Sequence, residues 1–128
     1  MIDRNKLRNK YGGKCAYCGI ILSDRFHVDH IESKRKYGKN DSIENFNPAC
    51  MECNIRKNTM TIEEYRLELI NDIQRLRETS AKFRLLEKYE IIKINKKPIV
   101  FYFERNIWRG ITMFNKKSKC TQSMAWSL

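Results

Sequence analysis

The sequence predicts a small α+β fold, in which a core braced by four cysteines precedes a helical and β C-terminal extension. Two Cys-x-x-Cys pairs, Cys15/Cys18 and Cys50/Cys53, bracket a segment that holds both histidines of the chain. Residues 26–31 (FHVDHI) alternate in the manner of a strand, and residues 61–79 carry an apolar stripe at helical spacing. A strand between paired cysteines, followed by a long amphipathic helix, indicates mixed α and β structure.

The cysteine pattern predicts a structural metal. Each pair offers two thiolates from one tight turn, and two pairs supply the four ligands of tetrahedral zinc. In a reducing compartment such pairs are typical of a zinc site rather than of disulfides. The predicted Zn²⁺ ligands are Cys15, Cys18, Cys50 and Cys53. The alternative is two unrelated redox or core pairs, and the fifth cysteine, Cys120, is expected to be an ordinary thiol.

The chain is short and strongly basic. Its 128 residues favour one domain with a small core, which a structural metal would help to fold. A formal net charge of +11 predicts a polyanionic partner, with nucleic acid first and an anionic membrane surface second. No apolar run approaches the roughly 20 residues of a membrane span. Residues 1–6 lack the apolar core of a signal peptide, so the expected location is the cytoplasm.

Local patterns predict short elements around the cysteine pairs. Asp3 is a candidate N-cap for a helix that ends near position 10 or 11. Gly19, directly after the first cysteine pair, is expected to adopt a positive φ. Residues 33–42 form a basic polar loop without periodicity, either merely solvated or in contact with phosphate. A helix is expected from position 50 or 51 to about position 58.

The second half of the chain is predicted from periodicity and caps. Thr61 has the features of an N-cap, and the helix that follows is expected to end near Ser80. A second helix is expected over 81–89, and its apolar stripe is interpreted as core. The β-branched and aromatic run 99–104 predicts a strand. Residues 91–95 either pair with this strand or continue the helix.

Residues 15–57, about a third of the chain, resemble the His-Asn-His (HNH) endonuclease family. The resemblance is carried by Asp29-His30 at a strand end, Asn45-Phe46 five residues before Cys50, and Cys53-Asn54 followed by Lys57. It implies a ββα-metal core braced by the zinc site, and a protein of a type frequent in bacteriophages and mobile elements. The expected domains are a nuclease domain over 1–60, an extension over 61–114 packing on or beside it, and a basic tail over 115–128.

The resemblance also implies roles for individual residues. His30 matches the general base that activates water, and Asn45 matches the residue that fixes the loop and orients that histidine. Asp29 and Asn54 match the ligands of a catalytic cation, Mg²⁺ or Mn²⁺. The chemistry of these residue types agrees, since histidine accepts a proton near neutral pH and a carboxylate with an amide oxygen suits Mg²⁺.

Five cations are expected to contact nucleic acid. Lys57 matches a basic position near the scissile phosphate, Arg56 meets solvent or a phosphate, and Lys34, Arg35 and Lys36 lie in the basic loop. Two departures from the family pattern stand out. Asn54 replaces the second histidine, and Glu32 stands where a proline is common and is interpreted as a surface substitution. His27 inherits no role from the motif and is expected to be structural or to face the substrate.

The leading hypothesis is a divalent-metal-dependent DNA endonuclease that leaves 5′-phosphate and 3′-hydroxyl ends. One such site cuts one strand, so a double-strand break would need a homodimer or two visits, and a larger nuclease or packaging assembly stays open. The expected setting is the cytoplasm of a bacterial or phage-infected cell. The main alternative is a non-catalytic zinc-ribbon module that binds nucleic acid. A scaffold or inhibitor that binds an acidic partner is a third hypothesis.

Overall fold

The computed structural model describes residues 2–105, which contain five α-helices and one two-stranded sheet. In chain order the elements are α1 (Arg4–Asn9), β1 (His27–His30), α2 (Lys34–Tyr37), β2 (Phe46–Ala49), α3 (Met51–Lys57), α4 (Ile62–Thr79) and α5 (Ala81–Lys88). Short 3-10 turns occupy Ile43–Asn45 and Tyr102–Glu104. The predicted α+β fold is confirmed. The predicted tail over 115–128 lies outside the described residues.

The sheet and α3 form the ββα unit that positions the site. Strands β1 and β2 are antiparallel, with His27 opposite Ala49 and His30 opposite Phe46. Helix α3 begins directly after β2 and packs against β1. Because side chains alternate along a strand, His27 and Asp29 share one face of β1. That face is the one that meets α3, as their contacts with α3 side chains show.

Helix α1 is anchored to the far side of this unit. Asp3 caps it as predicted, its side chain accepting a hydrogen bond from the backbone N–H of Lys6. Leu7 on its inner face is fully buried in the core. Lys10 just beyond its end donates to the carbonyl oxygens of Ile43 and Phe46 at 3.1 and 2.7 Å. The residue that follows α1 is therefore hydrogen-bonded to the first residue of β2.

The segment 33–42 is not wholly a loop, because it contains the one-turn helix α2. Ser33 caps this turn by accepting a hydrogen bond from the backbone N–H of Arg35 at 3.2 Å. A single capped turn is too short to show the apolar periodicity that marks longer helices, so periodicity could not predict it. Gly38 ends the turn with a φ of 81°.

The helices α4 and α5 are confirmed near their predicted bounds, with Thr61 and Ser80 as N-caps. The strand predicted over 99–104 is wrong. Phe101 is buried instead, and the backbone N–H groups of Tyr102 and Phe103 donate to the carbonyl oxygens of Tyr17 and Ala16. Residues 91–95 form neither helix nor strand.

Aromatic residues from the extension complete the core of the ββα unit. Tyr65 of α4 stacks on Phe101 with ring centroids 5.2 Å apart, and both rings meet Tyr17 edge-on. Arg66, buried beside them, donates to Glu104 and to the carbonyl oxygen of Ile99. Buried members of the core are Leu7, Cys15, Ala16, Tyr17, Leu22, Phe26, Phe46, Ala49, Tyr65 and Phe101. Residues on both sides of position 60 thus share one core.

Candidate active site

The four paired cysteines form one cluster. Their sulfur atoms all lie within 4.8 Å of one another, and the Sγ atoms of Cys18 and Cys50 are 3.8 Å apart. Tetrahedral ligands at about 2.3 Å from zinc are separated by about 3.8 Å, so the spacing of this pair fits such an ion. The turn also needs Gly19, whose φ is +78° as predicted. A Cβ at that position would lie 3.0 Å from the Tyr102 ring.

The cluster already favours a thiolate. A hydrogen bond from Cys53 lowers the pKa of Cys15 to about 4, against the opposing effect of burial. The backbone N–H of Cys50 also donates to the Cys15 sulfur, at 3.3 Å. Thiolate is the form that binds metal. The same hydrogen bond raises the pKa of Cys53, and it is the four-sulfur donor set that suits a site that could hold zinc.

Asp29 lies at the centre of a buried polar cluster. Its side chain is 3% exposed and accepts a hydrogen bond from the Tyr17 hydroxyl. The Lys57 ammonium, 0% exposed, lies 3.1 and 3.3 Å from its two oxygens. Burial raises the pKa of Asp29 above its ordinary value, although Tyr17 and Lys57 oppose this rise. Burial and the Asp29 charge raise the pKa of Tyr17, so Tyr17 stays a hydroxyl donor.

His30 ends β1 between an aromatic ring and an acid. Its ring packs edge-on against Phe46, with centroids 4.9 Å apart. Its Nε2 lies 3.4 Å from Oδ1 of Asp41. A carboxylate beside Nε2 favours the tautomer that carries the proton there, which leaves Nδ1 as the acceptor. The backbone carbonyl of His30 accepts a hydrogen bond from Lys57 at 2.9 Å.

Asn45 fixes the chain just beyond His30. Its side-chain oxygen accepts from the backbone N–H of Glu32 at 2.8 Å, and its Nδ2 donates to the carbonyl oxygens of Glu32 and Asn40. Its own carbonyl accepts from the backbone N–H of Ile31. Asn45 is itself buried, so these bonds are shielded from water. It contacts the loop rather than the pocket described next.

One pocket gathers five of the predicted site residues. It has a volume of about 520 Å³, and Asp29, His30 and Asn54 line it together. Lys34 and Arg35 stand at the same pocket. Asn54 comes from α3, where its Nδ2 lies 2.9 Å from Nδ1 of His27. Residues that carry a carboxylate, an imidazole and an amide thus line one pocket beside two exposed cations, and His30 also lines a neighbouring pocket with Asp41 and Phe46.

Three of the cations predicted to contact nucleic acid have protein partners. Lys57 is fully buried behind Asp29, so the expected phosphate contact is wrong for this position. Arg56 pairs with Asp72 and Glu68 of α4 at 2.7 and 3.2 Å. Lys36 pairs with Glu64 at 2.9 Å. These acids come from the extension, whose contacts with the core the sequence did not reveal.

Sequence reasoning also missed partners of the site residues. Tyr17 stands between the first two cysteines, where nothing in the pattern connects it with Asp29. Asn47, which is buried, donates to the Tyr17 hydroxyl at 3.3 Å and accepts from the Tyr11 hydroxyl at 3.3 Å. Asp41 is the single acidic residue of the basic segment 33–42. Its charge was the one feature of the sequence that could have indicated a contact with His30.

The family model described as HNH endonuclease matches residues 15–59. The matched segment begins at the first clustered cysteine and ends just after α3, so it contains both cysteine pairs and the pocket residues Asp29, His30 and Asn54. The chain therefore carries an HNH domain. No curated protein and no solved structure matches the chain significantly. Within residues 2–105, no helix is long and apolar enough to cross a membrane.

Proposed function

We propose that this protein is a divalent-metal-dependent DNA endonuclease in which His30 is the general base. The observation that carries the proposal is the convergence of Asp29, His30 and Asn54 on one pocket within the HNH domain. Hydrolysis of a phosphodiester needs an activated water and a Lewis acid at the leaving oxygen. The pocket offers a candidate for the first task and two oxygen ligands for the second.

The surroundings of His30 support its role as base. Asp41 beside Nε2 favours the tautomer that carries the proton on Nε2, so that Nδ1 is the nitrogen that can take a proton from water. Phe46 limits the rotation of the ring, and Asn45 holds the chain that follows. We propose that Asn45 acts in this way, as a residue that positions His30. It does so through the backbone of Glu32.

Asp29 and Asn54 are the proposed ligands of a catalytic Mg²⁺ or Mn²⁺. The cation would supply charge stabilisation at the leaving oxygen. A carboxylate has about four acceptor positions, so Asp29 keeps capacity beyond its bonds to Tyr17 and Lys57. The Lys57 charge offsets that of Asp29, and Lys34 and Arg35 give the pocket a net positive charge. Because Mg²⁺ is commonly held by one or two carboxylates together with substrate phosphates, we expect tight cation binding only with DNA present.

The remaining assignments follow from chemistry and position. The four cysteines are the proposed ligands of a structural zinc ion. Lys34 and Arg35, exposed at the pocket, are the proposed phosphate contacts. With one site per chain, the expected product of a single visit is a nick. We place the activity in the cytoplasm of a bacterial or phage-infected cell, where thiols stay reduced.

Supercoiled plasmid tests this proposal. Zinc-loaded protein should convert it to relaxed circles when Mg²⁺ or Mn²⁺ is added, and not when both are left out. Omitting Mg²⁺ is a cleaner control than a chelator, because a chelator would also remove zinc. DNA ligase should reseal the product, since ligation needs 5′-phosphate and 3′-hydroxyl ends. Folded, zinc-loaded protein that binds plasmid but nicks it with neither metal would favour a non-catalytic zinc-ribbon module.

A further inference from the structure

We propose that His27 is a positioning residue that holds the Asn54 amide with its oxygen directed at the pocket. This inference rests on the proposed function, in which that oxygen is a cation ligand. It gives a role to the histidine that the HNH motif leaves without one. The observation behind it is the 2.9 Å contact between Nδ2 of Asn54 and Nδ1 of His27.

The fold brings these two side chains together. His27 lies two residues before Asp29 on β1, so both point to the face that packs against α3. Asn54 is on the first turns of α3 and reaches back to that face. Both side chains are half-buried. Asn54 lines the pocket with Asp29, whereas His27 lies outside the pocket and behind Asn54.

The contact decides which end of the amide is available. An asparagine side chain has an NH₂ donor at one end and a carbonyl acceptor at the other. When Nδ2 donates to His27, Oδ1 keeps its lone pairs for another partner. The terminal torsion of asparagine is broad and roughly two-fold, so the amide alone selects neither orientation strongly. His27 supplies the selection in its Nε2–H tautomer, because the unprotonated Nδ1 of that tautomer can only accept a hydrogen bond.

The same contact fixes the tautomer of His27. A neutral imidazole has one donor and one acceptor nitrogen. If Nδ1 accepts from Asn54, the proton is on Nε2. If instead the oxygen of Asn54 faced His27, Nδ1 would carry the proton. The tautomer of His27 therefore reports the orientation of the amide without any measurement of activity.

His27 does not compete with this role by binding the cation itself. Its Nδ1 is occupied by the amide, and its side chain does not line the pocket that Asp29 and Asn54 share. Partners that orient metal ligands typically change metal affinity by about 10–100-fold when they are removed. Removal of His27 should therefore alter the dependence on Mg²⁺ more than the stability of the fold.

The first test is ¹⁵N NMR of the histidine rings in the zinc-loaded protein at about pH 8, where an ordinary histidine is neutral. The chain has two histidines, so His27→Asn assigns the signals by loss. The expected result is the Nε2–H tautomer for His27, relaxing to a mixture of tautomers in Asn54→Ala. A His27 protonated on Nδ1, or one unchanged by Asn54→Ala, would overturn the inference.

The second test compares two substitutions of His27 in plasmid nicking. His27→Ala should raise the Mg²⁺ concentration for half-maximal nicking by roughly tenfold. His27→Asn should restore most of this loss, because its amide oxygen can take the place of Nδ1 as the acceptor. Equal Mg²⁺ dependence of His27→Ala and the wild type would contradict the inference. If the wild type does not nick at all, the proposed function fails, and the NMR result alone decides the role of His27.

Discussion

Replacing Cys53 with serine should leave the protein without bound zinc and largely unfolded. The cysteine cluster joins the turn at Cys15 to the start of α3, 35 residues further along the chain. Strand β1 lies between these points and pairs with a β2 of only four residues. Zinc binding in small metal-dependent domains contributes about 10–16 kcal/mol, which matches or exceeds the whole stability of a typical domain, about 5–15 kcal/mol.

Zinc content and far-ultraviolet circular dichroism measure this outcome together. Wild-type protein should carry one zinc per chain, and Cys53→Ser should carry none and show reduced helical signal at 25 °C. Cys120→Ser is the matched control, since Cys120 belongs to neither Cys-x-x-Cys pair. It should keep the wild-type zinc content and melting temperature. A wild type without zinc, or a Cys53→Ser variant as stable as the wild type, would refute the zinc brace.

Replacing Lys57 with methionine should lower the free energy of unfolding by about 3–5 kcal/mol, the usual cost of breaking a buried ion pair by removing one partner. Methionine keeps much of the length of the side chain but leaves the buried Asp29 carboxylate without its cation. The Nζ contact with the carbonyl of His30, at 2.9 Å, is lost as well. The pKa of Asp29, already raised by burial, should rise further when the Lys57 charge is gone.

Lys36→Met is a matched control for this effect. Lys36 and Glu64 also form a lysine–carboxylate pair, 2.9 Å apart, but their side chains are 38% and 50% exposed. The Lys57–Asp29 pair is 0% and 3% exposed. Exposed pairs contribute at most about 1 kcal/mol, so Lys36→Met should change stability little. Urea unfolding in saturating zinc gives both values, and equal losses would contradict the buried network around Asp29.

The sequence predicted the core elements because each carries a strong local signal. The cysteine pairs, the Asp3 and Thr61 caps and the stripe of α4 all depend on spacing within one stretch of chain. The pocket residues Asp29, His30 and Asn54 were found through the order and spacing of the family motif. Whether these three residues lie close together depends on the pairing of β1 with β2 and on the packing of α3 against β1. The spacing of residues along the sequence does not predict either.

The errors have a common physical origin. The run 99–104 has high β-propensity, but that propensity measures how well a residue fits a half-buried surface. Phe101 is buried without forming a strand, because its ring stacks on Tyr65 in the core. Lys57 shares a helix face with Asn54, yet its longer side chain runs inward to Asp29 instead of outward to solvent. The conformation of 99–104 and the direction of the Lys57 side chain are determined by tertiary contacts between segments far apart in the chain. The contact of Tyr17 with Asp29 is of the same kind.

The most direct test of the endonuclease account is plasmid nicking by His30→Ala beside the wild type and Asn71→Ala. Asn71 is exposed on α4 and does not line the pocket of Asp29 and His30, so its variant controls for handling and contaminating nucleases. All three proteins should be matched for zinc content and plasmid binding before Mg²⁺ is added. We expect His30→Ala to lose nicking by at least about 100-fold, the lower range for loss of a general base, and Asn71→Ala to cut like the wild type. Undiminished nicking by folded, zinc-loaded His30→Ala would contradict the account.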